Sequence, residues 1–66
     1  MSLKWVDVLD IAIELDEQFP NVDPLVISFP DLYQMVMSLP EFDDDPKRCG
    51  EKILEAIQMA WIEERE

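Results

Sequence analysis

The chain has no histidine, one cysteine and one glycine among its 66 residues. A single cysteine excludes an internal disulfide, a paired-cysteine redox motif and an iron–sulphur cluster held by thiolates alone. Without histidine there is no serine–histidine pair for nucleophilic catalysis, and one glycine cannot build a phosphate-binding loop. We therefore expect a protein that is not an enzyme.

Basic residues are scarce as well, with 5 Lys and Arg against 16 Asp and Glu and a formal net charge of −11. Such a charge repels phosphate backbones and anionic lipids, which argues against nucleic acid and membrane partners. The sequence has no apolar signal region after Met1 and no stretch long enough to span a bilayer. It predicts a monomeric, cytoplasmic protein that binds basic protein surfaces or hard cations.

Apolar residues make up 48% of the chain and recur at helical spacing in three segments. The first two predicted helices are Asp7 to Gln18 and Pro30 to just before Pro40. The third is capped by Gly50 or Cys49 and runs to about Glu64. Between the first two helices, Leu25 to Phe29 is β-branched and predicts an extended connector or a two-residue strand. The expected fold is a single domain over residues 1–66, a mainly α, compact three-helix bundle with at most a very short β segment.

Individual side chains carry further expectations. Asp7 is predicted to cap the first helix, and both Phe42 and Trp61 are predicted to enter the core. Cys49 precedes a helix and follows Lys47 and Arg48, features that favour a lowered thiol pKa. The preferred interpretation of Cys49 is nevertheless a lone small residue near a helix cap.

The first candidate site is a row of carboxylates on the first helix. Asp7, Asp10, Glu14 and Glu17 recur at spacings of three, four and three, which places them on one face, opposite the apolar stripe. No basic residue lies between Lys4 and Lys47 to relieve their repulsion. The functional interpretation is a docking stripe for a basic partner, flanked by Leu9 and Ile13. The alternative is an ordinary solvated helix face.

The second candidate site is the acidic turn, Phe42-Asp43-Asp44-Asp45-Pro46, with the helix that follows it. Its candidate metal ligands are Asp43, Asp44, Asp45, Glu51 and Glu55. Carboxylate oxygens without histidine or thiolate suit Ca²⁺, Mg²⁺, Mn²⁺ and iron. The spacing does not fit an EF-hand, because Pro46 and Arg48 would occupy ligand positions. An open, weak metal site and a solvated acidic turn both remain as interpretations.

Five motifs follow one another along the chain: Leu3-Lys4-Trp5-Val6-Asp7, Asp23-Pro24, Phe29-Pro30-Asp31-Leu32, Phe42-Asp43-Asp44-Asp45-Pro46, and Glu51-Lys52-Ile53-Leu54-Glu55-Ala56-Ile57 through Trp61. Together they resemble the IscX family of iron–sulphur cluster assembly proteins. The resemblance covers nearly the whole chain in order. It implies a small, winged-helix-like helical fold and a cytoplasmic role beside the cysteine desulfurase of the bacterial ISC system.

The resemblance also carries implications for the two candidate sites. It implies an adaptor or regulator whose partner surface, Asp7, Asp10, Glu14 and Glu17, docks on the basic surface of the desulfurase. It implies weak Fe²⁺ binding with no tightly bound cofactor, and assigns the acidic turn with Glu51 and Glu55 a less certain part. The alternatives are an iron donor or sensor, and a generic acidic interaction module.

Overall fold

The computed structural model describes residues 2–66 and consists of three α-helices around one core. They are α1 (Val8–Gln18), α2 (Phe29–Ser38) and α3 (Glu51–Arg65), with a short 3₁₀ turn at Pro46–Arg48. The extended structure within the described residues is an isolated parallel bridge between Leu3 and Phe42. The predicted mainly α, three-helix bundle is therefore confirmed.

Helix α1 packs chiefly against α3, and its amphipathic pattern explains why. Ile11, Ala12 and Leu15 are buried on one face, as the spacing predicts. On α3 the matching buried side chains include Ile57 and Trp61. The carboxylates on the opposite side of α1 are directed away from the core as a consequence.

Local sequence signals set the ends of α2 and the start of α3. The Ser28 hydroxyl accepts from the backbone N–H of Asp31 at 3.4 Å, and Pro30 lies in the first turn. Leu39 ends α2 in an extended conformation because Pro40 follows it. Gly50 precedes α3 in an extended conformation, without a side-chain cap. These boundaries agree with the prediction to within about one residue.

The predicted extended connector, Leu25 to Phe29, is wrong at both ends, since Leu25 and Val26 lie in a turn and Phe29 begins α2. The backbone N–H of Val26 donates to the carbonyl of Asp23 at 3.2 Å, and the N–H of Leu25 donates to the Asp23 carboxylate at 2.9 Å. Asp23 therefore closes a tight turn over Pro24, as an aspartate before a proline favours. The turn leaves Leu25 and Val26 exposed at its tip.

The centre of the core holds two tryptophans. Trp5 is 1% exposed and Trp61 is fully buried, so the predicted core position of Trp61 is confirmed. Phe42 is half-buried and meets Trp5 edge-on, with 4.6 Å between ring centroids. Tyr33 stacks on Trp5 at 5.8 Å. The segment before α1 thus belongs to the core, since its tryptophan contacts both α2, through Tyr33, and the acidic turn, through Phe42.

Candidate docking surface

The acidic face of α1, defined as Asp7, Asp10, Glu14 and Glu17, lies on the solvent side of the helix. Asp10 and Glu17 are exposed, and Asp7 and Glu14 are half-buried. Within residues 2–66, Asp10, Glu14 and Glu17 form neither a side-chain hydrogen bond nor an ion pair. The face therefore carries unneutralised negative charge, and its i, i+4 repulsion costs an isolated helix roughly 0.2–0.5 kcal/mol per pair.

Asp7 occupies the N-cap position of α1, as predicted, but its side chain makes no capping hydrogen bond to the helix. Its Oδ2 atom instead accepts from the backbone N–H of Lys4 at 2.9 Å, while its own N–H donates to the Lys4 carbonyl at 2.9 Å. The carboxylate thus turns back onto the preceding turn rather than onto the first amides of the helix. Asp7 is thus held against the turn before α1, whereas the side chains of Asp10, Glu14 and Glu17 extend from the helix.

Asp16, also on α1, shows what a neutralised carboxylate looks like in this fold. Its Oδ1 atom lies 2.9 Å from Nε of Arg65, in the last turn of α3. The same guanidinium donates to the carbonyls of Phe19 and Val22 and lies 5.5 Å above the Trp61 ring. Arg65 therefore fastens the C-terminal end of α1 to α3, on a side of α1 separate from the acidic face.

Apolar side chains border the acidic face, as the sequence predicts. Leu9 is 68% exposed and Ile13 is 39% exposed. Ile13 lies deeper because it lines an open groove of about 300 Å³. The other residues lining this groove are Leu3, Asp10, Glu14 and Glu41. The fold thereby adds Leu3 and Glu41, which are distant in sequence, to the edge of the acidic face.

In the acidic turn, Asp44 binds backbone rather than solvent. Its Oδ2 atom accepts from the N–H of Trp5 at 2.9 Å, and its Oδ1 atom accepts from the N–H of Asp45 at 2.7 Å. These two bonds, the Trp5 bond first, hold the pKa of Asp44 below its ordinary value, aided by the charges of Arg48 and Lys4. Asp44 is therefore ionised and engaged.

The neighbouring aspartates complete a latch between the acidic turn and the first residues of the chain. The Trp5 indole N–H donates to the carbonyl of Asp45 at 2.8 Å, and the Asp45 carboxylate accepts from the N–H of Lys47 at 2.9 Å. The N–H of Asp43 donates to the carbonyl of Leu3 at 3.0 Å, and the Lys4 ammonium donates to the Asp43 carbonyl. The turn thus fixes Trp5 in the core.

The five candidate metal ligands are not gathered into one cluster. Asp43, Glu51 and Glu55 are exposed, whereas the carboxylates of Asp44 and Asp45 accept the backbone bonds just described. Residues 2–66 contain no group of three or more Asp, Glu, Cys or His side chains placed to hold a metal ion. The donor types suit iron, but the arrangement does not form a dedicated cage, and weak Fe²⁺ binding stays a prediction.

The Cys49 thiol is not activated, although its position before a helix and near Lys47 and Arg48 favours a lowered pKa. The side chain is half-buried beside the start of α3, and burial raises its thiol pKa. Desolvation disfavours the thiolate and outweighs the helix N-terminus and the nearby cations. The preferred interpretation, a lone small residue near a helix cap, agrees with this position.

Sequence reasoning missed the latch because it treated the three aspartates as one solvated group. A signal was nonetheless present, since the indole N–H of a buried tryptophan usually finds an acceptor. Trp5 finds one in the carbonyl of Asp45, whereas the indole N–H of Trp61 has no hydrogen-bond partner within residues 2–66. Pairing Trp5 with a turn 40 positions away requires tertiary information. The roles of Leu3 and Glu41 beside the acidic face depend on the same long-range contact.

Comparison with known proteins supplies the remaining observation. Within residues 2–66, no helix is long and apolar enough to cross a membrane. A sequence model of the iron–sulphur cluster assembly family matches residues 3–66. An uncharacterised protein of Pseudomonas aeruginosa is 67% identical over 66 residues, which is the full length of both chains. The chain therefore belongs to the IscX family, and its role lies in iron–sulphur cluster assembly.

Proposed function

We propose that the protein is an acidic adaptor that docks through the acidic face of α1 on the cysteine desulfurase of the ISC system and regulates cluster assembly. The observation that supports this most is that Asp10, Glu14 and Glu17 have no partner within residues 2–66, whereas Asp16 on the same helix has one. The adaptor performs no catalytic step, acts in the cytoplasm and binds as a monomer.

The physical basis of docking is electrostatic steering followed by burial. Unpaired carboxylates on a rigid helix raise the rate of encounter with a basic surface. The exposed aliphatic side chains Leu9 and Ile13 then lose water on contact, which slows dissociation. Because the pairs that form are near the surface, binding is weakened by salt, which screens charges beyond about 10 Å at 0.1 M.

The direct test reverses charge on the acidic face. The double variant Asp10→Lys/Glu14→Lys should lose capture by the purified desulfurase and keep its helical circular dichroism. The matched control, Glu63→Lys/Glu64→Lys, makes the same change of charge at exposed positions of α3. Capture of the control with loss of the first variant supports the proposal. Equal capture of both variants would remove α1 from the interface.

A titration against salt tests the same surface by a second measurement. The logarithm of Kd should rise with the logarithm of salt concentration, because contacts between charges displace bound ions. The slope should fall when Glu14 is replaced by Gln, which keeps the shape of the side chain and removes its charge. A slope unchanged by Glu14→Gln would show that this carboxylate does not meet a cation of the desulfurase.

A further inference from the structure

The groove beside the acidic face has both an apolar and an anionic wall. Leu3 and Ile13 supply the apolar wall, and Asp10 and Glu14 stand at its edge, one helical turn apart. Its volume of about 300 Å³ is at the lower end of small-molecule pockets, enough for a side chain rather than a folded segment. Because Leu3 pairs with the 41–43 segment, the groove is part of the folded core's rim.

A ligand that satisfies both walls must combine an apolar stem with a positive head. A small hydrated cation would leave Leu3 and Ile13 facing water, and an aliphatic side chain would leave the two carboxylates without a counter-charge. Lysine and arginine side chains have this composition, because their methylene stems lie along apolar surface while the head stays with polar groups. The carboxylates of Asp10 and Glu14, which have no partner within residues 2–66, complete the match in charge.

We propose that this groove receives one basic side chain of the docking partner, with Ile13 and Leu3 as the residues that set specificity for its stem. This inference rests on the proposed function for the identity of the partner, but the chemistry of the groove itself does not. It adds to the acidic face a contribution that does not depend on charge. Salt should weaken the contacts of Asp10 and Glu14 but leave the contact of Ile13 largely unchanged.

Two small probes separate the stem from the head. n-Butylguanidinium carries four methylene or methyl carbons, and guanidinium carries the head alone. NMR titration of the full chain should show chemical-shift changes centred on Leu3, Asp10, Ile13 and Glu14 for the butyl probe. The butyl probe should bind at least about fourfold more tightly than guanidinium, the value of one buried methylene.

Three variants assign the effect to its residues. Ile13→Ser should remove the advantage of the butyl probe, and Leu9→Ser should retain it, since Leu9 does not line the groove. Glu14→Gln should weaken the binding of both probes by a similar factor. Because this variant keeps Ile13, it tests the groove even if Ile13→Ser fails to fold. Equal affinity for the two probes, or shifts spread evenly over all acidic residues, would overturn the proposal.

The partner experiment is kept separate, so that its failure can be distinguished from that of the groove. With the desulfurase, Ile13→Ser should raise Kd at least about fourfold and leave the salt slope unchanged. Absence of any binding by the unmodified chain would reject the proposed function but leave the probe result standing. Binding that Ile13→Ser does not weaken would reject the groove as a contact and leave the acidic face in place.

Discussion

Two regions of this small protein are rich in aspartate and glutamate, and they use the carboxylates in opposite ways. In the acidic turn, Asp44 and Asp45 accept backbone N–H groups and thereby hold Trp5 in the core. On the acidic face of α1, the carboxylates of Asp10 and Glu14 have no hydrogen-bond or ion-pair partner within the described residues. One region uses its charge to build the fold, and the other leaves its charge available.

The difference follows from where free donors lie. The first residues of the chain and the 3₁₀ turn have backbone N–H groups without helical partners, and a nearby carboxylate lowers their free energy by accepting. Around Glu14, beyond the first turn of α1, every backbone N–H already donates within the helix. A carboxylate there finds no donor in its own segment, so a counter-charge must come from elsewhere in the fold or from another molecule.

The contrast between the acidic turn and the acidic face can be tested by removing one carboxylate from each. Asp44→Ala should lower the Tm by several degrees, because the Trp5 N–H loses its acceptor, and should leave desulfurase capture intact well below the Tm. Asp10→Ala should leave the Tm nearly unchanged, since surface substitutions of this kind stay within about 0.5 kcal/mol, and should weaken capture. Thermal melts and desulfurase-binding assays on both variants measure these two effects. Loss of stability in Asp10→Ala alone would reverse the assignment.

Arg65 provides a second test of the comparison, because it pairs with one carboxylate of α1, Asp16, and not with those of the acidic face. Arg65→Ala removes bonds to Asp16, Phe19 and Val22 and should cost about 1–2 kcal/mol, roughly 5–15 °C of Tm in so small a domain. Asp16→Asn keeps an acceptor and should cost less than about 1 kcal/mol, as exposed ion pairs do. Equal losses of stability in the two variants would show that the ion pair with Asp16 contributes more than the hydrogen bonds of Arg65 to the two carbonyls.

Acid titration sharpens the role of Asp44. Because its pKa in the fold lies below the ordinary 3.8, the ionised carboxylate stabilises the fold above that pH. The contribution is lost as the pH falls below 3.8 and through the lower pKa of the folded state. The Tm difference between the unmodified chain and Asp44→Asn should therefore be constant near neutral pH and shrink in acid. A difference that is independent of pH would contradict the proposed bonds to the charged form.

The smallest expected effect concerns Fe²⁺. The exposed candidate ligands Asp43, Glu51 and Glu55 can be changed to Asn and Gln together without removing the bonds of Asp44 and Asp45. If the acidic turn binds Fe²⁺ as predicted, paramagnetic broadening near residue 43 should weaken in this triple variant while broadening along α1 persists. Saturable broadening at the turn alone, tight against competing Mg²⁺, would instead favour an iron donor or sensor over an adaptor.

The helices could be predicted because their causes are local. Apolar residues at helical spacing, prolines at Pro30 and Pro40, and Gly50 mark the segments that the structure contains. The acidic face could be predicted for the same reason, since a helical period fixes which side chains share a side. The prediction of an extended connector failed at Leu25 and Val26, because the turn at Asp23–Pro24 outweighed the β preference of the residues that follow it.

The sequence by itself determined that this is a helical protein with a large negative charge, because both properties depend on residue identity and short-range spacing. Only the tertiary structure decided which of the carboxylates discussed above accept hydrogen bonds or form ion pairs within the fold. That choice depends on donors brought from distant positions, such as the Trp5 amide beside Asp44 and the Arg65 guanidinium beside Asp16. The groove beside Ile13 arose in the same way, when the chain folded Leu3 against the segment around Glu41.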